Sequence, residues 1–117
     1  MAEDVVTLLS DTETQPTAGM RAAMTAAEVG DEQKGEDPTV CLLQDRVAGL
    51  LGKEGALWLP SGTMCNLVAV KSQTQPGDAI VADWMAHVIR AESGGAALAS
   101  GVRVEPIQTE RGIFTVD

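Results

Sequence analysis

"LWLPSGTMCN", residues 57–66, decides how the rest of this chain is read. A short apolar run breaks on Pro60, Ser61 and Gly62, and an apolar helical pattern resumes immediately afterwards. A buried strand that ends in a tight turn onto a helix has this form. The first amides of such a helix have no intrahelical acceptor, and they carry a partial positive charge. Two readings follow. Ser61 or Thr63 caps the helix, or Ser61, Gly62 and Thr63 cradle an anionic group, most naturally a phosphate. Glycine lets backbone approach a ligand closely, and the flanking hydroxyls add donors. The stretch matches neither the P-loop nor the dinucleotide fingerprint, so local sequence leaves both readings open.

Outward from this turn the pattern is layered. "ALWL" (56–59) reads as a buried strand, and the helix that follows covers about 62–72 with Met64, Leu67 and Val68 inward. "QPGD" is a turn, "AIVAD" (79–83) a second buried strand, and "AHVIRAES" a short helix before Gly94 and Gly95. "VRVEPI" (102–107) is a third strand, with "GIFTV" (112–116) a fourth or its hairpin partner. Upstream, residues 1–16 form an extended polar arm. The Ala-rich segment 17–29 favours helix, with Met20, Ala23, Met24 and Ala27 on one face and Gly30 as its stop. Asp37 and Pro38 are a cap followed by a first helical residue that needs no amide donor. They open a helix to about Leu51, with Val40, Leu43, Val47, Leu50 and Leu51 on its apolar face and Gly52 as its end. Strands alternating with helices indicate an α/β layered domain.

Composition narrows the function. The chain has 117 residues, 44% of them hydrophobic, which is enough for a packed core. Its net charge of −9, and aromatics limited to two Trp and one Phe, exclude nucleic acid as a partner class. Cys41 and Cys65 stand alone, and with a single histidine they make no metal-ligand pattern. The first residues, MAEDVV, lack a signal-peptide pattern, and no apolar run approaches the roughly 20 residues of a membrane span. A cytoplasmic protein without a membrane partner is expected.

That lone histidine, His87, falls four residues beyond Asp83, the acidic end of a buried strand. Ligands of open α/β sheets bind beyond the carboxyl ends of strands, where a histidine can stack on a planar cofactor or move a proton. A surface histidine in a loop is the plain alternative. Asp83 fits a turn cap better than a catalytic group. Glu92 lies five residues past His87, off its face in an ideal helix.

Four segments together resemble one family. "SDTETQPT" (10–17), "VGDEQKGEDPTV" (29–40), "LPSGTMCN" (59–66) and the stretch from "AH" (86–87) to "ESGG" (92–95) are similar in order and spacing to threonine aldolases, of the aromatic amino acid beta-eliminating lyase and threonine aldolase group. The likeness runs from Thr7 to the last strand. It implies an aspartate-aminotransferase-like, pyridoxal-phosphate-dependent transferase large domain, here incomplete: an arm (1–16), helices (17–53) and the start of the sheet (54–117). It also implies pyridoxal 5'-phosphate as cofactor, cleavage of beta-hydroxy-alpha-amino acids such as threonine to glycine and an aldehyde, and a homodimer or homotetramer.

By matched position the resemblance assigns Ser61, Gly62 and Thr63 to the cofactor phosphate and Ser10 to the substrate carboxylate. It assigns His87 to the cofactor ring and to catalysis near the substrate hydroxyl. Lys34 and Ala91 stand where the family has tyrosines, and Glu13 where it has an apolar residue. Lys34, Lys53 and Lys71 match no functional lysine of the family, so the Schiff-base lysine is expected beyond position 117 and the segment alone is expected to be inactive. Other readings are another beta-eliminating lyase or racemase of the group, or a noncatalytic partner or structural fragment.

Overall fold

The start signal at Asp37-Pro38 is used as the sequence writes it. In the computed structural model, which describes residues 6–115, helix α2 spans Pro38–Leu51, with Pro38 in its first turn. Asp37 caps it by accepting from the Val40 amide at 2.8 Å. Gly52 closes it in the left-handed conformation, φ 60°, which costs glycine nothing sterically. Helix α1 (Ala18–Ala26) precedes it, capped by the Thr17 hydroxyl on the Met20 amide at 3.2 Å.

Helix α1 ends before Gly30, with Ala27 already extended. The shortening has a local cause. The Gly30 amide donates to the second Asp37 oxygen at 3.0 Å, and Thr39 donates its hydroxyl to the Glu28 carbonyl at 2.6 Å. The backbone must therefore leave the helix early to meet the cap of α2.

The chain divides into two compact units, Met1–Trp58 and Leu59–Asp117. In the second, helix α3 (Gly62–Gln73) leads to strand β1 (Ala79–Asp83), followed by helices α4 (His87–Arg90) and α5 (Gly95–Ser100) and strand β2 (Arg103–Ile107). β1 and β2 pair in parallel, with Ala79 opposite Arg103 and Asp83 opposite Ile107. Parallel neighbours require a crossover, and α4 and α5 occupy it. Helix α5 packs on α3. Gly95 permits this approach, since a Cβ there would stand 3.0 Å from Cδ2 of Leu67. Ala96, Ser100 and Val102 are buried around that contact.

Among the described residues, two expected strands are absent. Residues 56–59 form no strand, and neither do residues 113–115; Val116 lies outside the described residues. An apolar run becomes a strand only where a neighbour supplies its ladder. At "ALWL" the Trp58 amide instead donates to the Gln44 side chain at 2.9 Å. Helix α5 was not expected from the sequence. The apolar faces are also less covered than their periodicity predicts: Met20, Met24, Leu43, Leu50, Leu51 and Met64 are exposed. Burial requires a partner element as well as a stripe, and among the described residues only Ala48 of α2 is buried.

Candidate functional site

Ser61 settles the capping question posed by the sequence. It is the N-cap of α3, extended at φ −150° and ψ 150°, and its Oγ accepts from the Met64 amide at 3.2 Å. The Ser61 carbonyl takes the next amide, that of Cys65, at 3.0 Å. The amides of Gly62 and Thr63 lie in the first turn and have no intrahelical acceptor. Thr63 is not the cap, and the residue is exposed. A Cβ on Gly62 would meet open space. The turn therefore presents two backbone donors and one hydroxyl around an open position. Ser61, while accepting from Met64, keeps its own hydroxyl proton free to donate.

His87 opens α4, just past the carboxyl end of β1. Its position is fixed from both sides. Before it, the Trp84 amide extends the ladder to Ile107 at 2.9 Å, and the Ala86 amide closes a turn on Asp83 at 2.8 Å. After it, the Arg90 guanidinium lies over the Trp84 ring, 5.7 Å from its centroid, and donates to the Met85 sulfur at 3.2 Å.

The structure brings Glu92 to His87, which ideal helical spacing did not indicate. Helix α4 is a single turn, and two left-handed residues follow it, Ser93 at φ 50° and Gly94 at φ 77°. The chain reverses there, and Glu92 turns inward with its side chain 1% exposed. Its Oε1 accepts from the Asn66 amide of α3 at 2.8 Å and lies 3.6 Å from Nε2 of His87. Its Oε2 is enclosed without a hydrogen-bond partner among the described residues. The imidazole itself is 64% exposed. Asn66 escaped the sequence reading. Its one signal was a polar residue three positions after Thr63, directly before the inward Leu67.

Asp83 is structural. Its carboxylate accepts from the Thr109 hydroxyl at 2.7 Å, the Met85 amide at 2.8 Å and the Thr109 amide at 3.2 Å. These donors, the Thr109 hydroxyl first, hold its carboxyl below the usual aspartate range. They tie the end of β1 to the 109–112 loop around a cavity of about 500 Å³. A second cavity, about 380 Å³, lies along α3 and Ala99 and has an apolar lining.

Ser10 belongs to the other unit, Met1–Trp58. Its hydroxyl is engaged locally, 2.8 Å from the Thr12 hydroxyl and accepting from the Thr12 amide at 3.2 Å.

Residues 7–117 match the beta-eliminating lyase family. The chain belongs to that family. Within it, the chain is 46% identical to the low specificity L-threonine aldolase of Escherichia coli over 103 residues, covering 88% of this chain and 31% of the relative. It is 41% identical over 106 residues to a probable low-specificity L-threonine aldolase of Arabidopsis thaliana, covering 90% and 30%. With the low specificity L-threonine aldolase of Saccharomyces cerevisiae, identity is 40% over 108 residues, covering 92% and 28%. This beta-eliminating lyase chain thus spans about a third or less of the length of the curated relatives it matches. Among its described residues, no helix is long and apolar enough to cross a membrane.

Proposed function

We propose that this segment is the amino-terminal portion of the large domain of a pyridoxal-phosphate-dependent aldolase. Its fold would be aspartate-aminotransferase-like, and it would cleave beta-hydroxy-alpha-amino acids such as threonine to glycine and an aldehyde. The observation that carries the reading is the open first turn of α3, with the Gly62 and Thr63 amides uncommitted. It lies in the same unit as a histidine beyond the carboxyl end of a parallel strand. The relatives' names supply the substrate class.

The residues present fit the cofactor's phosphate. Two amides, the Thr63 hydroxyl and the Ser61 hydroxyl proton suit a dianion, and Gly62 leaves room for it. The unit offers no lysine beside this cradle: Lys71, in the last turn of α3, stands about 12 Å along the helix axis from Thr63. The lysine that anchors the cofactor would come from another part of the full-length protein.

Pyridoxal phosphate, when bound, supplies an electron sink for the carbanion left by carbon–carbon cleavage. Gly62 and Thr63 would hold the phosphate through their amides and the Thr63 hydroxyl. His87 would stand beside the cofactor ring and near the substrate hydroxyl, where an imidazole nitrogen would accept its proton. Ser10 binds the substrate carboxylate once its local bonds to Thr12 are exchanged. A homodimer or homotetramer in the cytoplasm completes the proposal.

Incubating the full-length protein with pyridoxal phosphate and L-threonine should yield glycine and acetaldehyde in equal amounts. Pyruvate-type keto acid and ammonia from serine, without aldol cleavage, would assign another beta-eliminating lyase instead. No turnover of either substrate would point to a noncatalytic partner.

A further inference from the structure

We propose that Glu92 is a positioning residue that holds His87 in one tautomer, with the proton on Nε2 and the Nδ1 lone pair presented to substrate. This assignment rests on the aldolase reading for its catalytic consequence, though not for its geometry.

The argument starts from burial. A carboxylate withdrawn from water needs donors on both oxygens or a neighbouring positive charge. Glu92, 1% exposed, has one donor, the Asn66 amide on Oε1, while Oε2 has none among the described residues. The ionisable group that stands against it is His87, with Nε2 3.6 Å from Oε1. Carboxylate oxygens accept and cannot donate, so the nitrogen facing Glu92 must carry a proton. A neutral imidazole then has its lone pair on Nδ1, on a side chain that is 64% exposed. At 3.6 Å the pair is a contact longer than a hydrogen bond, and catalytic contacts of this kind are commonly long without substrate and tighten with it.

The same carboxylate extends the effect to the cradle. Asn66 lies one turn after Thr63 on α3, so Glu92 joins the helix that would bind phosphate to the residue that would take the proton. The proton balance is simple. The substrate O–H bond breaks and an Nδ1–H bond forms, giving an imidazolium whose Nε2–H stays directed at Glu92. The Cα–Cβ electron pair remains with the glycine fragment, which later takes one proton, and the aldehyde gains its C=O bond. A buried carboxylate opposite Nε2 stabilises the imidazolium when it forms.

Glu92→Gln tests this in the full-length holoprotein, because glutamine keeps the shape and can still face Asn66. Turnover should fall about 100-fold, the lower end of what a positioned base contributes. KM and cofactor affinity should stay within about twofold. Glu92→Gln added to His87→Gln should lower turnover no further. Independently of activity, 15N resonance of labelled imidazoles, assigned by the signal missing in His87→Gln, should show Nε2 protonated and Nδ1 bare in the parent. In Glu92→Gln it should show a tautomer mixture. An Nδ1-protonated His87 in the parent, or turnover of Glu92→Gln within about threefold of the parent, overturns the proposal. Should the parent fail to cleave beta-hydroxy-amino acids, the aldolase reading falls and the nitrogen spectra alone decide the role of Glu92.

Discussion

The Asn66 amide and the Glu92 carboxylate, 26 positions apart, meet at 2.8 Å and join α3 to the turn that follows α4. This bond satisfies one oxygen of a side chain that is otherwise enclosed. Removing the donor leaves a buried carboxylate more exposed to its own desolvation cost. Asn66→Ala should therefore destabilise the full-length protein by roughly 1.5–3 kcal/mol, the range for bonds to charged groups. The penalty should shrink when Glu92→Gln is present, because the two residues share one interaction. Urea unfolding of the four proteins measures the coupling; strictly additive losses would show that the charge on Glu92 adds nothing to the bond.

Ser61 and Thr63 should separate in function, since only one of them caps the helix. Ser61→Ala removes the acceptor of the Met64 amide and should cost the cofactor-free protein about 1 kcal/mol of stability, and it also takes the Ser61 hydroxyl donor away from the phosphate. Thr63→Ala breaks no cap. It should leave unfolding of the cofactor-free protein nearly unchanged while weakening pyridoxal phosphate by about tenfold to a hundredfold, the loss of one charge-assisted bond. Titration of cofactor-free protein reads the affinity. Unchanged affinity in Thr63→Ala would reduce this turn to an ordinary helix start.

What the sequence made legible was local. Asp37, Pro38 and Gly52 specify α2 through caps that depend on near neighbours, and α3, β1 and β2 follow from patterns bounded by turn residues. "ALWL" misled because an apolar run does not name its strand partner, and Trp58 bonds a side chain instead. Helix α5 was missed because Gly94 and Gly95 read as a break, whereas Gly94 is its left-handed cap and Gly95 its close contact with Leu67. The His87–Glu92 approach was hidden for a related reason. Helical spacing assumes that the helix continues, and here it ends after one turn at Arg90, before a left-handed Ser93.

Two glycines of the first unit should respond to the same substitution with opposite signs. A Cβ at Gly30 would collide with the Glu36 carbonyl, and backbone cannot move aside as a flexible side chain can. Gly30→Ala should cost roughly 1–3 kcal/mol, as overpacking does. Gly49 lies within α2 with open space at its Cβ position. Gly49→Ala should stabilise by about 0.5–1 kcal/mol through helix propensity alone. Thermal unfolding of both variants decides it, and a stabilising Gly30→Ala would mean that the tight approach of Gly30 to Glu36 is not kept in solution.

Asp83 should make the protein sensitive to acid through a bond network rather than a catalytic role. Thr109 and Met85 donate to its ionised form and hold its carboxyl below the ordinary value. A depressed carboxyl contributes stability above the unfolded-state pKa, about 3.9, and loses it as pH falls from there through the folded value. Asp83→Asn abolishes the charge and offers one acceptor in place of two. At pH 7 the variant should therefore be the less stable protein, and the difference should narrow steadily below about pH 4 as the parent's carboxylate takes up its proton. Asp37, likewise depressed by the Gly30 and Val40 amides, titrates in both proteins and cancels from the difference. Urea midpoints measured from pH 7 to pH 3 give the comparison. A gap that stays constant across that range would show that the charge on Asp83 does not clamp the end of β1 to the 109–112 loop.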